Sequence, residues 1–203
     1  MKLLLILLTV NLLVFTPHKS HGQEVFSAGS RNESLAGASA ALTGSWSVFG
    51  NQAGLSSVGG LVAGGSFQNR FLVNELSSRA GFIVVPVQTS CFAFSMSQFG
   101  QNPFRQERFG LSYARKLGER LSFGMQFNWY RLFLSEENRM TGSYGAEFGL
   151  QYQLTSDLKV GVHTVNPYQT SIKLSSERFT YPSYLRVGAF YNLSEVFSLT
   201  TEL

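Results

Sequence analysis

Leu121, Phe123, Met125, Phe127 and Trp129 alternate without a break with Ser122, Gly124, Gln126 and Asn128. Successive side chains of a β-strand point to opposite faces, so this period of two predicts a strand from Leu121 to about Phe133. The stretch Ser143–Leu154 repeats the pattern with opposite parity: Tyr144, Ala146, Phe148, Leu150, Tyr152 and Leu154 against Ser143, Gly145, Glu147, Gly149, Gln151 and Gln153. Shorter versions appear around Phe109, Leu111 and Tyr113, around Leu158, Val160 and Val162, and around Leu185, Val187, Ala189 and Tyr191. Less regular strands are expected at about 59–68, 79–87 and 90–99, with a last one beginning near Val196. Tight turns at Lys116–Arg120, Thr155–Asp157 and Asn192–Glu195 alternate with longer polar links at Ser135–Thr141 and Asn166–Pro182. That rhythm describes an antiparallel up-and-down meander.

A soluble sandwich also buries one apolar face per strand. Three features favour a transmembrane β-barrel instead. The two clearest strands exceed the common length of about 5–6 residues and suit the roughly 9–11 that a tilted membrane strand needs. Their non-apolar face is Gly, Ser, Gln and Asn rather than Lys and Glu, which suits a confined interior. Aromatics gather near strand ends, at Tyr113, Trp129, Tyr130, Tyr144, Tyr152, Tyr184 and Tyr191, as interfacial girdles would. The apolar stripes are expected to be free of charge, with Arg108, Glu147, Lys159 and Arg186 all on the other parity.

The N-terminus adds an address. Lys2 precedes an almost wholly apolar run from Leu3 to Phe15; Pro17 ends it, and Ser20-His21-Gly22 offers a small-x-small cleavage site. Residues 1–22 therefore read as a secretory signal peptide, too short to be a comfortable membrane span. Residues 23–57 are rich in Ala, Gly and Ser and read as a compact, non-strand, plug-like segment, with Asn32 or Ser30 placed to cap a short helix over the Ala-rich run. Residues 58–203 form the barrel region.

Composition agrees with that picture. Only 14% of the 203 residues are charged, against about a quarter in soluble domains, while Gly (20), Phe (18) and Tyr (8) are abundant. The formal net charge of +4 is spread along the chain without a basic block, which argues against nucleic-acid binding. The single Cys91 excludes an intramolecular disulfide and a cysteine-based zinc site; it reads as a small residue in an apolar strand.

Candidate chemistry is sparse. His163 is the one histidine beyond the signal segment, which holds His18 and His21. It reads as an interior residue bonded to its neighbours; a dyad with a serine or with Glu147 has no Gly-x-Ser-x-Gly elbow to support it. Glu136-Glu137 reads as a solvated loop tip. No metal or cofactor motif is present, and none is expected to bind. The interior-parity residues Arg108, Glu147, Lys159, His163 and Arg186 are the candidate lumen polar network, with Arg31 and Glu33 as possible partners on the plug side.

Two stretches carry a family resemblance. Arg31 through Leu42, followed by Asn51-Gln52-Ala53-Gly54-Leu55, resembles the opening of PorV/PorQ-type outer-membrane proteins, a group related to the long-chain fatty-acid transporters. There an Asn-Pro-Ala-Gly-Leu-like motif follows a small-residue segment; here Asn51, Ala53, Gly54 and Leu55 match and Gln52 replaces the proline. Tyr181–Ala189 and Tyr191-Asn192-Leu193 resemble the late hairpins of the same group. The resemblance implies a non-enzymatic barrel in the bacterial outer membrane, in contact with its lipid. It also implies passage of hydrophobic small molecules past an N-terminal plug, or service to secreted proteins in the type IX secretion of Bacteroidetes. Alternatives are a structural or partner-binding envelope component without transport, and a barrel lipid hydrolase using a serine and His163. About nine strands are read where single-chain barrels close with even numbers, so the barrel is expected to be incomplete and the chain truncated at its C-terminus.

Overall fold

The computed structural model describes residues 29–135, 139–173 and 178–203. The expected signal peptide, residues 23–28 of the small-residue segment, and Glu136-Glu137 lie outside the described residues.

Alternating sequence becomes strand throughout. The strands are β1 (Val62–Asn69), β2 (Ser77–Val87), β3 (Ser90–Phe99), β4 (Phe104–Leu117), β5 (Leu121–Leu134), β6 (Arg139–Gln153), β7 (Leu158–Val165), β8 (Ser171–Lys173), β9 (Arg178–Thr180), β10 (Tyr184–Asn192) and β11 (Ser198–Glu202). Nine of them make one sheet in the order β1-β2-β3-β4-β5-β6-β7-β10-β11, and all its pairs are antiparallel. Strands β8 and β9 form a small separate hairpin inside the β7–β10 connection, where the sequence shows only a polar link. Runs of three residues carry too little alternation to be seen beforehand. Among the described residues no helix is long and apolar enough to cross a membrane.

Burial is inverted relative to a water-soluble sheet. The polar parity is inside: Ser95, Ser97, Ser112, Gln126, Asn128, Glu147, Gln151 and His163 are all buried. The apolar parity is outside: Leu111 and Leu185 are 62% exposed, Tyr144 60% and Phe127 51%. Cys91 and Ala93 of β3 and Ala114 of β4 also face in and are buried.

Two sequence expectations about that outer stripe need correction. Arg131 continues the Leu121–Trp129 parity, and Arg105 and Glu107 share its face on β4. The stripe is thus charged at its long-loop end, where Glu107 bridges Arg105 and Arg131. Tyr130 and Tyr184 do not belong to an outer girdle; their parity turns them inward.

Among its described residues the N-terminal segment has no strand, as its composition predicts, but its helix is not where the alanines are. The helix covers only Ser30–Ser34, and its N-cap position is Gly29, which has no side chain to cap with. Ala36 and Gly37 then adopt left-handed backbone, φ 54° and 81°. Contact with the sheet outweighs helix propensity here, because the backbone of the following residues is bonded to strands. Two 3₁₀-helices follow, at Ser45–Phe49 and Gln52–Ser57.

This segment lies inside the sheet. Val48, Phe49 and Leu55 form a buried cluster with Phe82, Val84, Cys91, Ala93 and Ala114 of β2, β3 and β4. Trp46 meets Phe82 edge-on at 4.8 Å. On its other side, Ser39 and Ala40 donate backbone N–H bonds to Glu202 of β11 at 2.8 and 2.7 Å. In a flat sheet β2 and β11 would stand about 33 Å apart, at roughly 4.7–4.9 Å per strand. A segment tied to itself by Asn51–Ala40 at 2.6 Å cannot span that distance, so the sheet curls around it.

Candidate functional site

The site begins with missing side chains. At Gly161 of β7 a Cβ would fall on the carbonyl of Ala40, and at Gly124 of β5 on the backbone of Gln52 and Ala53. Glycine on the inner face is what lets the segment's main chain touch the wall. A buried main chain must satisfy its polar groups, and amide side chains on the wall and the segment do so.

Asn51 is the centre of the first cluster. Its Nδ2 donates to Ala40 O (2.6 Å), Leu150 O (3.1 Å) and Val162 O (3.2 Å), while its Oδ1 caps the second 3₁₀-helix by accepting from Ala53 N (3.1 Å). Gln151 Nε2 donates to Ala40 O (3.0 Å) and Leu42 O (2.8 Å). Arg186 Nε lies 3.5 Å from Glu202 Oε1, and its Nη1 reaches Ser39 Oγ at 3.3 Å. The motif residues Ala53, Gly54 and Leu55 are buried behind Asn51.

Glu147 is the centre of the second cluster. Its Oε1 accepts from Asn128 Nδ2 (2.7 Å) and Arg108 Nη1 (3.3 Å). Its Oε2 accepts from Gln52 Nε2 (2.9 Å) and lies 3.1 Å from His163 Nε2. An ionised carboxylate only accepts, so the network assigns the Nε2 proton to His163. Behind Asn128 the chain continues through Gln126 to Ser112. One carboxylate thus links β4, β5, β6 and β7 to the segment. Gln52 opens the 3₁₀-helix at the first position, where proline is well suited because its missing N–H is not needed. Glutamine keeps that fit and adds a bond to the wall.

The expected network is therefore divided. Arg108, Glu147 and His163 come together; Arg186 joins Glu202 and Ser39 in the other cluster. Lys159 shares the inward parity, but among the described residues no hydrogen bond or ion pair ties it to either. The segment's contribution also differs from expectation. Arg31 donates to Thr43 O within the segment, at 3.0 Å, and Glu33 Oε1 is buried without a partner. Gln52, Asn51 and the main chain of Ser39 and Ala40 make the contacts instead, because the main chain's unmet polar groups are what face the wall. Gln126, Asn128, Gln151 and Glu202 escape notice in the sequence because neutral or terminal polar residues on an inner parity look like filler.

A cavity of about 70 Å³ lies beyond the Glu147 cluster, toward the long loops, walled by Arg108, Tyr130, Val165, Tyr181, Pro182 and Tyr184. Tyr181 stacks on Tyr130 with ring centroids 4.2 Å apart. Asn166 fixes this corner by donating from Nδ2 to Tyr181 O at 3.0 Å, with Thr170 N donating to its Oδ1. Two buried donors have no partner here, Arg108 Nη2 and Tyr181 Oη. Burial pushes the Tyr181 phenol well above its ordinary value, so it stays a neutral donor. Among the described residues no hydroxyl is bonded to His163, and no group of three or more His, Cys, Asp or Glu is placed to hold a metal.

No protein-family model and no curated protein matches the sequence. Solved structures do match in fold. The chain is similar to the CymD monoaromatic hydrocarbon channel, with TM-score 0.64 and 13% identity over 88% of this chain and 68% of that one. It is also similar to a TodX deltaS2S3 mutant, again a monoaromatic hydrocarbon channel, with TM-score 0.62 and 11% identity over 87% and 69%. The likeness shows an antiparallel architecture shared with these channels.

Proposed function

We propose that this chain is a non-enzymatic outer-membrane β-barrel that passes hydrophobic small molecules, with the N-terminal segment as its plug. The inverted burial carries the reading: polar side chains are inside and large apolar ones outside. In hydrocarbon every backbone polar group must be satisfied within the protein, which a closed barrel achieves. The sheet already curls around the segment, and closure requires β1 and β11 to meet directly or through further strands. Residues 1–22 are the export signal, residues 23–57 the plug and residues 58–203 the wall. Arg108, Glu147, His163, Arg186 and Lys159 are the ionisable lining of the lumen, the first four fastening the plug.

The small-molecule class follows from the cavity and the fold relatives. Tyr130, Tyr181 and Tyr184 offer aromatic faces beside the plug, and the two similar channels are named for monoaromatic hydrocarbons. The test is two-staged. The full chain expressed with its own leader should fractionate with outer membranes and run faster unboiled than boiled. Cells carrying it should then take up a monoaromatic hydrocarbon faster than cells carrying Tyr181→Ala or an empty vector. A soluble protein without a mobility shift sinks the reading, and an inserted protein without enhanced uptake sinks the transport part.

The second reading is a PorV/PorQ-type component serving secreted proteins in type IX secretion. It is supported by Asn51, Ala53, Gly54 and Leu55, the matching motif, being the best-tied part of the segment. It predicts that deletion of the gene blocks export of cargo proteins while leaving hydrocarbon uptake unchanged.

A further inference from the structure

The outer face of the sheet changes character within one step of its register. Gly81, Met96, Phe109, Trp129 and Tyr144 form one register row across β2 to β6. Two residues toward the long loops, the row becomes Arg79, Gln98, Glu107, Arg131 and Gly142, with Phe67 beside Arg79 on β1. Arg105 stands one further step out on β4, opposite Phe133. Each guanidinium lies over an aromatic ring of that boundary. Arg79 is 5.7 Å from the Phe67 centroid, Arg105 5.3 Å from Phe133, and Arg131 5.1 Å from Trp129 and 6.0 Å from Phe109. Among the described residues one carboxylate, Glu107, shares the patch. Glu107 Oε1 lies 3.1 Å from Arg105 Nε, and its Oε2 3.4 Å from Arg131 Nη1. Among the described residues three cations thus face one anion.

We infer that this arginine–aromatic row binds the phosphorylated headgroups of the outer-leaflet lipid. The inference rests on the outer-membrane reading above, which puts the apolar rows in hydrocarbon and the long loops outside. Stacking on a ring orients each guanidinium and, among the described residues, leaves the N–H edge of Arg79 and the Nη pair of Arg105 uncommitted, while Arg131 turns Nη1 to Glu107 and Nη2 to Met140 Sδ. That edge matches phosphate oxygens two at a time, which an ammonium cannot do. The excess positive charge sits where lipid phosphates begin, just past the aromatic boundary. Glu107 holds the two central arginines in place and partly competes with the phosphate.

The test uses the full chain in phosphatidylcholine nanodiscs with and without lipid A, a phosphorylated glycolipid. Lipid retained after release of the protein is counted by native mass spectrometry. The wild type should retain lipid A in preference to phosphatidylcholine. Arg79→Gln, Arg105→Gln and Arg131→Gln should each weaken retention by about tenfold, a charge-assisted hydrogen bond's worth. Arg131→Lys should also weaken it, and Glu107→Gln should strengthen it, an outcome no misfolded variant would give. Millimolar inorganic phosphate should not displace the lipid. Equal retention by the triple glutamine variant, or displacement by phosphate, overturns the inference. The unboiled mobility shift of each sample separates the two levels. Wild-type protein that inserts but shows no preference refutes this site alone; protein that never inserts refutes the membrane reading with it.

Discussion

Glu147 concentrates more of the interior's polar chemistry than any neighbouring side chain. Four donors converge on its two oxygens, and one of them, the Arg108 guanidinium, is charged. Desolvating such a group is costly, and the partners offset that cost only while the set is complete. Glu147→Gln keeps the shape but leaves Arg108 buried without its counter-charge and puts an amide N–H against another donor. Breaking a buried pair in this way costs about 3–5 kcal/mol. Urea titration of the folded, heat-modifiable form should show that loss, and Arg108→Met with Glu147→Leu should lose less than either single change. Parity made part of this visible in the sequence. Arg108, Glu147 and His163 fall on the inner face by alternation alone, yet nothing in the alternation says that these three meet while Lys159 stands apart. Pairing depends on register between strands, and register is set by turns and side-chain packing along the whole sheet rather than by any one strand's pattern.

The N-terminal segment poses the corresponding question for an element. Its lack of strand and its compactness were legible from Ala, Gly and Ser; its conformation was not. A helix over Ala36–Leu42 would satisfy its own backbone and leave Glu202, Gln151 and Asn51 with unmet polar groups. The observed chain instead gives Ser39 and Ala40 N–H to Glu202 and the Ala40 carbonyl to Asn51 and Gln151. Tertiary hydrogen bonds thus override local propensity, which is a weak preference of at most about 1 kcal/mol per ordinary residue. The close approach rests on Gly161 and Gly124, so Gly161→Leu should push the segment off the wall without breaking the β6–β7–β10 ladder. Limited proteolysis should then cut within residues 29–57 many times faster than in the wild type, with the unboiled mobility shift retained. Asn51→Ala should act in the same direction by removing the side chain that gathers three carbonyls, at about 1–3 kcal/mol for the buried groups it leaves unsatisfied. A segment that stays protected in both variants would mean that the Val48–Leu55 apolar cluster alone holds it.

At the scale of the whole molecule, the decisive quantity is the sign of the environment around the outer face. Phe127 is 51% exposed, flanked in its register row by Leu111 and Ala146. On a water-soluble sheet, replacing such a residue by arginine removes exposed apolar surface and should be neutral or improve solubility. On a lipid-facing sheet the same change puts a cation among acyl chains, at about 2–4 kcal/mol near the midplane. Phe133→Arg lies three register rows nearer the long loops, beside Arg105, where the cost falls to about 0–1 kcal/mol. Refolding into vesicles of a thin phosphatidylcholine, read by the unboiled mobility shift against urea, should therefore give a steep loss for Phe127→Arg and little change for Phe133→Arg. The contrast between the two positions matters more than either value, because both add the same side chain to the same strand on the same face. In water the neighbouring Arg105 would make Phe133→Arg the costlier of the two, so a steeper loss for Phe127→Arg requires a surrounding medium that changes along β5, and a flat or reversed response would place the strand in water along its whole length.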